Sequence, residues 1–103
     1  MEGNELICFQ IISAVGSARS CYIEAIQCAK KGDYEGANNL IKEGQELFNQ
    51  GHLAHAQLIQ NEANGNKAEF SLLIMHAEDQ LMSAEAFGIL AEEFISVYQK
   101  IGN

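Results

Sequence analysis

Residues 68–100 read AEFSLLIMHAEDQLMSAEAFGILAEEFISVYQK. Phe70, Leu73, Ala77, Leu81, Ala84, Gly88, Ala91, Ile95 and Tyr98 recur at steps of three and four, which places them on one face of a single long helix. The chain contains no proline, so nothing in this stretch interrupts a helical hydrogen-bond ladder. At the α-helical rise such a helix is roughly 45 to 50 Å long. A second apolar stripe runs along it: Leu72, Met75, Met82, Ala86 and Ile89 with Leu90. A lone bundle covers about one face of each helix, so the surplus stripe implies association with further copies.

Two more helical segments precede it. From about Glu5 to Lys30, Ile7, Ile11, Ala14, Ala18, Cys21, Ala25 and Ala29 form one face, broadened by Cys8, Ile12, Val15, Tyr22 and Ile26. From about Tyr34 to Gln60 the stripe is Ala37, Leu40 with Ile41, Gly44, Leu47 with Phe48, Gly51, Ala54 and Leu58. Gly44 and Gly51 each weaken a helix by up to ~1 kcal/mol relative to alanine. Their place in the apolar stripe predicts close helix approach as the compensation. The first break is Lys31-Gly32-Asp33, with Gly32 as the residue that ends one helix and Asp33 as the N-cap of the next. The second runs from Asn61 to Lys67 around Asn64-Gly65-Asn66. Short turns between long helices predict an all-α, up-down-up antiparallel three-helix bundle occupying residues 1–103 as one domain.

Composition narrows the function. Apolar residues make up 48% of the chain, enough for a core, and the absence of Thr and scarcity of Val disfavour a sheet. The net charge of -8 excludes nucleic-acid and anionic-lipid partners and favours proteins with basic patches. Met1-Glu2-Gly3-Asn4-Glu5 lacks the basic start of a signal peptide, and no uninterrupted apolar run reaches the roughly 18 residues of a membrane span. The expected setting is therefore cytoplasmic, without membrane insertion. Cys8, Cys21 and Cys28 have no C-x-x-C spacing and are read as reduced thiols filling core or interface space.

One residue breaks the pattern. Asp79 sits in the second stripe, seven residues after Leu72 and seven before Ala86. Buried between helices, its carboxylate costs several kcal/mol unless compensated. Around a symmetry axis it would meet its own copies and require a metal ion or a proton. At the edge of the stripe it would simply reach solvent. His76 lies one turn before it, with Gln80 and Ser83 on the same flank, and helix two adds His52 and His55. The zinc-protease H-E-x-x-H, the repeated Glu-x-x-His of di-iron bundles, G-x-S-x-G, the P-loop and the dinucleotide fingerprint are all absent. A four-residue metal site from His52, His55, His76 and Asp79 has no recognised ligand spacing behind it.

The segment Leu73-Ile74-Met75-His76-Ala77-Glu78-Asp79-Gln80-Leu81-Met82-Ser83-Ala84 resembles the signature of the lactose/cellobiose-specific enzyme IIA proteins, roughly H-A-Q-D-H-L-M-T/S after aliphatic residues. Gly16-Ser17-Ala18-Arg19-Ser20 is similar to that family's small-x-A-R-S segment. His52, Leu58 and Ile59 fall where its H-x-x-Q-T-x-L-I segment would place them, and Lys31-Gly32-Asp33-Tyr34 fits its first turn. The likeness runs in order along essentially the whole chain. It departs at Glu78 and Gln80, where the family has Gln and His, and at His55-Ala56, where it has Gln-Thr.

The resemblance implies a homotrimeric phosphocarrier of the phosphoenolpyruvate-dependent sugar phosphotransferase system, with nine helices in the assembly. His76 would accept a phosphoryl group from the histidine-containing phosphocarrier protein and pass it to a cysteine of a cognate IIB during uptake of a β-linked disaccharide such as cellobiose or lactose. Asp79 would meet its copies at a divalent metal ion, expected to be Mg, on the trimer axis, with no organic cofactor. Gln80 and His52 are the candidates for a phosphate shell. Histidine suits the role, because an imidazole titrating near ~6.5 is largely neutral and nucleophilic in the cytosol. Two positions along a helix turn roughly 200°, so Glu78 should face away from its own His76, leaving a neighbouring subunit within its reach. The competing reading is a non-catalytic regulatory or structural helical oligomer with a structural metal.

Overall fold

A computed structural model describes residues 3–102. Met1, Glu2 and Asn103, which the one-domain expectation and the leader reading include, lie outside the described residues. Three helices follow in order: α1 (Gly3–Lys30), α2 (Tyr34–Ala63) and α3 (Leu72–Gly102). They form a rod of 55 × 19 × 17 Å. The described residues contain no strand.

Local chemistry sets both turns. At the end of α1, the Gly32 amide bonds to the Ala29 carbonyl (3.0 Å) and the Asp33 amide to that of Cys28 (2.9 Å). Gly32 takes φ +84, a left-handed conformation that glycine adopts without a Cβ penalty. Asp33 then caps α2 by accepting from the Gly36 amide at 2.9 Å. The second turn repeats the device, with Gly65 at φ +94 and the Asn66 amide bonded to the Asn61 carbonyl at 2.9 Å.

The helix bounds shift from those expected. Helix two runs on to Ala63 rather than ending near Gln60, and helix three begins at Leu72 rather than Ala68. The reason is Ser71, whose Oγ accepts from the Ile74 amide at 3.2 Å and whose carbonyl accepts from Met75 at 3.1 Å. Phe70 therefore stands outside α3 and is 86% exposed, not on its inner face.

Packing follows the stripes. α1 lies against both other helices and lends its core residues to two clusters. One gathers Cys8, Ile11, Val15, Leu58, Ala77, Leu81 and Ala84. The other gathers Ala18, Tyr22, Ala25, Ala29, Ala37, Ile41, Ala91 and Ile95. Burying Ile11 or Val15 contributes roughly 1.5–3 kcal/mol each. The glycines act as the sequence predicts: a Cβ at Gly44 would fall 2.6 Å from Tyr22 Cε1, and one at Gly51 2.5 Å from Val15 Cγ1. Gly88 on α3 faces the same ring, with its Cβ position 2.9 Å from Tyr22 Cζ. Tyr22 is thus wedged between glycines of two helices. By length and average composition alone α1 could cross a membrane, although polar residues interrupt its apolar stretches. Its composition is core-like because it buries side chains against two neighbours at once.

Candidate functional site

The site is organised by Ala77, which is fully buried in the core cluster of Cys8, Ile11 and Leu81. With Ala77 pointing inward, the helical turn directs His76 and Asp79 outward, and both are exposed. Asp79 accordingly lies on the open face of α3 between Met75, 49% exposed, and Met82, 63% exposed. Within one protomer it reaches solvent. It makes no hydrogen bond or ion pair among the described residues. His76 borders a shallow hollow of about 370 Å³ lined with Leu72 and Leu73. A larger hollow of about 520 Å³ between α1 and α2 carries no titratable side chain.

The two histidines of α2 part company. His52 is exposed and stacks on Phe48 of its own helix, ring centroids 6.3 Å apart. His55 is largely covered and its Nε2 lies 2.7 Å from Glu78 Oε1. Glu78 therefore faces α2 and turns away from its own His76, as the helical angle predicts. Neither Gln80 nor His52 is hydrogen-bonded to His76 within the protomer, among the described residues. Nor do the four residues His52, His55, His76 and Asp79 converge: no cluster of three or more metal-ligating side chains occurs among the described residues.

Two contacts escape sequence reasoning. His55–Glu78 joins α2 to α3, and its only sequence signal is that both residues depart from the family pattern. Arg19 of α1 donates through Nη1 to Ser83 Oγ of α3 at 3.4 Å, on the flank that carries His76 and Gln80. Nothing in helical periodicity reports which residues of separate helices share a level. Behind the site, burial pushes the Cys8 thiol above its ordinary value of 9.0, and the nearby carboxylates of Glu78 and Glu5 push it the same way. Cys8 is a neutral packing group, not a nucleophile.

An all-α protomer that presents a histidine and a carboxylate one turn apart on an open apolar helix face is the class defined so far. The family model described as "PTS system, Lactose/Cellobiose specific IIA subunit" matches residues 6–99, so the chain belongs to that family. It is an enzyme IIA component of the sugar phosphotransferase system for sugars of the lactose/cellobiose type. It is 44% identical over 100 residues to the lichenan-specific phosphotransferase enzyme IIA component of Bacillus subtilis (strain 168), covering 97% of this chain and 91% of the relative. The cellobiose-specific enzyme IIA of Bacillus anthracis has the same fold, with a TM-score of 0.94 and 41% identity over 99% of this chain and 94% of that one. The IIA(Chitobiose) protein in its complex with HPr, from the N,N'-diacetylchitobiose branch of the Escherichia coli system, superimposes with a TM-score of 0.85 at 29% identity, covering 100% of both chains.

Proposed function

We propose that residues 1–103 form a single cytoplasmic phosphocarrier unit in which His76 accepts a phosphoryl group from the histidine-containing phosphocarrier protein and hands it to a cysteine of a cognate IIB. The observation that carries this reading is the placement of His76: exposed on α3, held outward by buried Ala77, beside an apolar hollow open to a partner. The imidazole nitrogen forms a new N–P bond as the donor's N–P bond breaks, and the later transfer replaces it with an S–P bond on the acceptor thiolate. Such transfers depend on in-line positioning and on stabilising charge in a loose transition state. This chain supplies little positive charge of its own, with six Lys and Arg against fourteen Asp and Glu. Partner surfaces therefore carry much of the stabilisation. The substrate class that fits the relatives is a β-linked disaccharide such as cellobiose or lactose.

The outer face of α3 supports a homotrimer. Leu72, Met82, Ile89 and Leu90 are all more than half exposed in one protomer, an apolar face that three copies would cover. Threefold packing brings three Asp79 carboxylates together, and oxygen donors of this kind suit a hard divalent cation such as Mg. No single protomer offers such a set among the described residues, so any ion here depends on assembly. The ion would offset the mutual repulsion of the three carboxylates; His76 performs the transfer.

The test is incubation with phosphoenolpyruvate and the general phosphotransfer proteins, read by intact mass and peptide mapping. An acid-labile, base-stable phosphoryl group on His76 is expected, and His76→Ala should take up none. Uptake by His76→Ala would remove His76 from the role. A wild-type protein that takes up no phosphoryl group would leave the non-catalytic oligomer as the reading.

A further inference from the structure

Arg19 is an oddity within the protomer. It is the only arginine of the chain, half-buried, and surrounded by a strongly acidic composition. Yet it forms no ion pair among the described residues, and its one hydrogen bond is a long one, 3.4 Å, to the neutral hydroxyl of Ser83. A guanidinium carries five N–H donors, and partial burial without a carboxylate leaves most of them unused. Glu78 shows the complementary surplus. Its Oε1 is taken by His55, while the side chain remains 43% exposed and can accept further bonds. Within one protomer the two cannot meet, because Ser83 lies on the α1 side of α3 and Glu78 on the α2 side.

The outer face of α3 supplies the missing geometry. Leu72, Met75, Asp79, Met82, Ala86 and Ile89 alternate steps of three and four, which makes them the a and d positions of a heptad. Copies related by a threefold axis along α3 run parallel. In parallel helices the g residue of one faces the e residue five positions later in its neighbour, the pairing that sets register and partner choice. Glu78 is a g position and Ser83 is the e position five residues on. The neighbour's Ser83 is where that neighbour's Arg19 is tethered. We propose that Arg19 of each protomer forms an ion pair with Glu78 of the partner subunit, so that His55, Glu78 and the incoming guanidinium make a bridge at every interface of the trimer. The inference rests on the trimeric reading of the outer face, which it deepens by naming residues that fix the register.

Sedimentation analysis of the full chain across a concentration series tests it. Arg19→Glu should raise the concentration of half-dissociation by about tenfold or more, and Glu78→Arg should do likewise. The doubly reversed Arg19→Glu/Glu78→Arg protein should return to within about threefold of wild type, since a reversed pair restores the attraction. Glu85→Gln serves as the control, because its facing e position is Leu90, and should leave assembly unchanged. High salt should weaken the wild type and the double variant but not the single reversals. If a single variant does not fold by circular dichroism, the double variant decides: a folded trimer supports the pairing and an unfolded or monomeric one overturns it. A trimeric wild type indifferent to Arg19→Glu overturns this inference alone. A monomeric wild type overturns the trimeric reading and this one together.

Discussion

The two faces of α3 are made of different residues for different purposes. Its inner face places Ala77, Ala84 and Ala91, each 0% exposed, against the rest of the core, together with Leu81 and Ile95. Its outer face carries larger side chains left open, Met82 at 63% and Ile89 at 61%, with a carboxylate among them. Small residues inside let three long helices approach closely, with glycines on α2 and α3 receiving the Tyr22 ring. Large apolar residues outside have no function in the protomer and gain their worth only when covered. The inner face thus determines the fold, while the outer face is the one proposed to assemble, and α3 presents His76 beside it.

That division can be broken from the inside first. Tyr22→Ala should cost about 3–5 kcal/mol in urea or guanidinium unfolding, because it empties the space between Gly44 and Gly88. Next in size, Gly44→Ala should cost about 1–3 kcal/mol, since the added methyl meets the Tyr22 ring. A Gly44→Ala protein as stable as wild type would show that the ring moves aside freely. Asp33→Ala removes the α2 cap and should cost about 1 kcal/mol by the same measurement.

The outer face should answer differently. Met82→Gln should change protomer unfolding, measured at concentrations where the chain is monomeric, by no more than about 0.5 kcal/mol. In light scattering the same variant should lose its assembly. A large loss of protomer stability would mean that Met82 belongs to the core after all.

The smallest effect concerns pH. Burial, aided by neighbouring carboxylates, raises the thiols of Cys8 and Cys21 above 9.0 and the Tyr22 phenol above 10.0. A raised folded value means the stabilisation is fully present below the ordinary value and is lost as pH rises through the folded one. The denaturant midpoint should therefore fall above about pH 9. Cys8→Ser/Cys21→Ser should flatten that fall, and Cys28, half-buried, should react first with a thiol reagent.

Much of this was legible beforehand. Period-three-and-four spacing gave the three helices, Gly32 and Asp33 gave the first turn, and the surplus stripe on α3 appeared as residues with nothing to cover them. The family signature around His76 carried the candidate acceptor. The start of α3 was misjudged by four residues, because apolar spacing continues through Ala68 and Phe70 while a single serine hydroxyl at Ser71 decides where the helix begins.

The sequence by itself determined which residues share a helix face, since that depends only on 3.6 residues per turn and on where glycine and aspartate stop the ladder. Tertiary structure alone decided which faces stand at the same height on different helices. It put His55 against Glu78, Arg19 beside Ser83 and Tyr22 between two glycines, contacts that span 22 to 66 residues of chain. Such pairings depend on how turn geometry sets one helix's offset against the next, and no local pattern encodes that offset. Asp79 shows the boundary well: its place in the stripe was written in the sequence, but only the packed protomer shows it facing outward, where other copies can meet it.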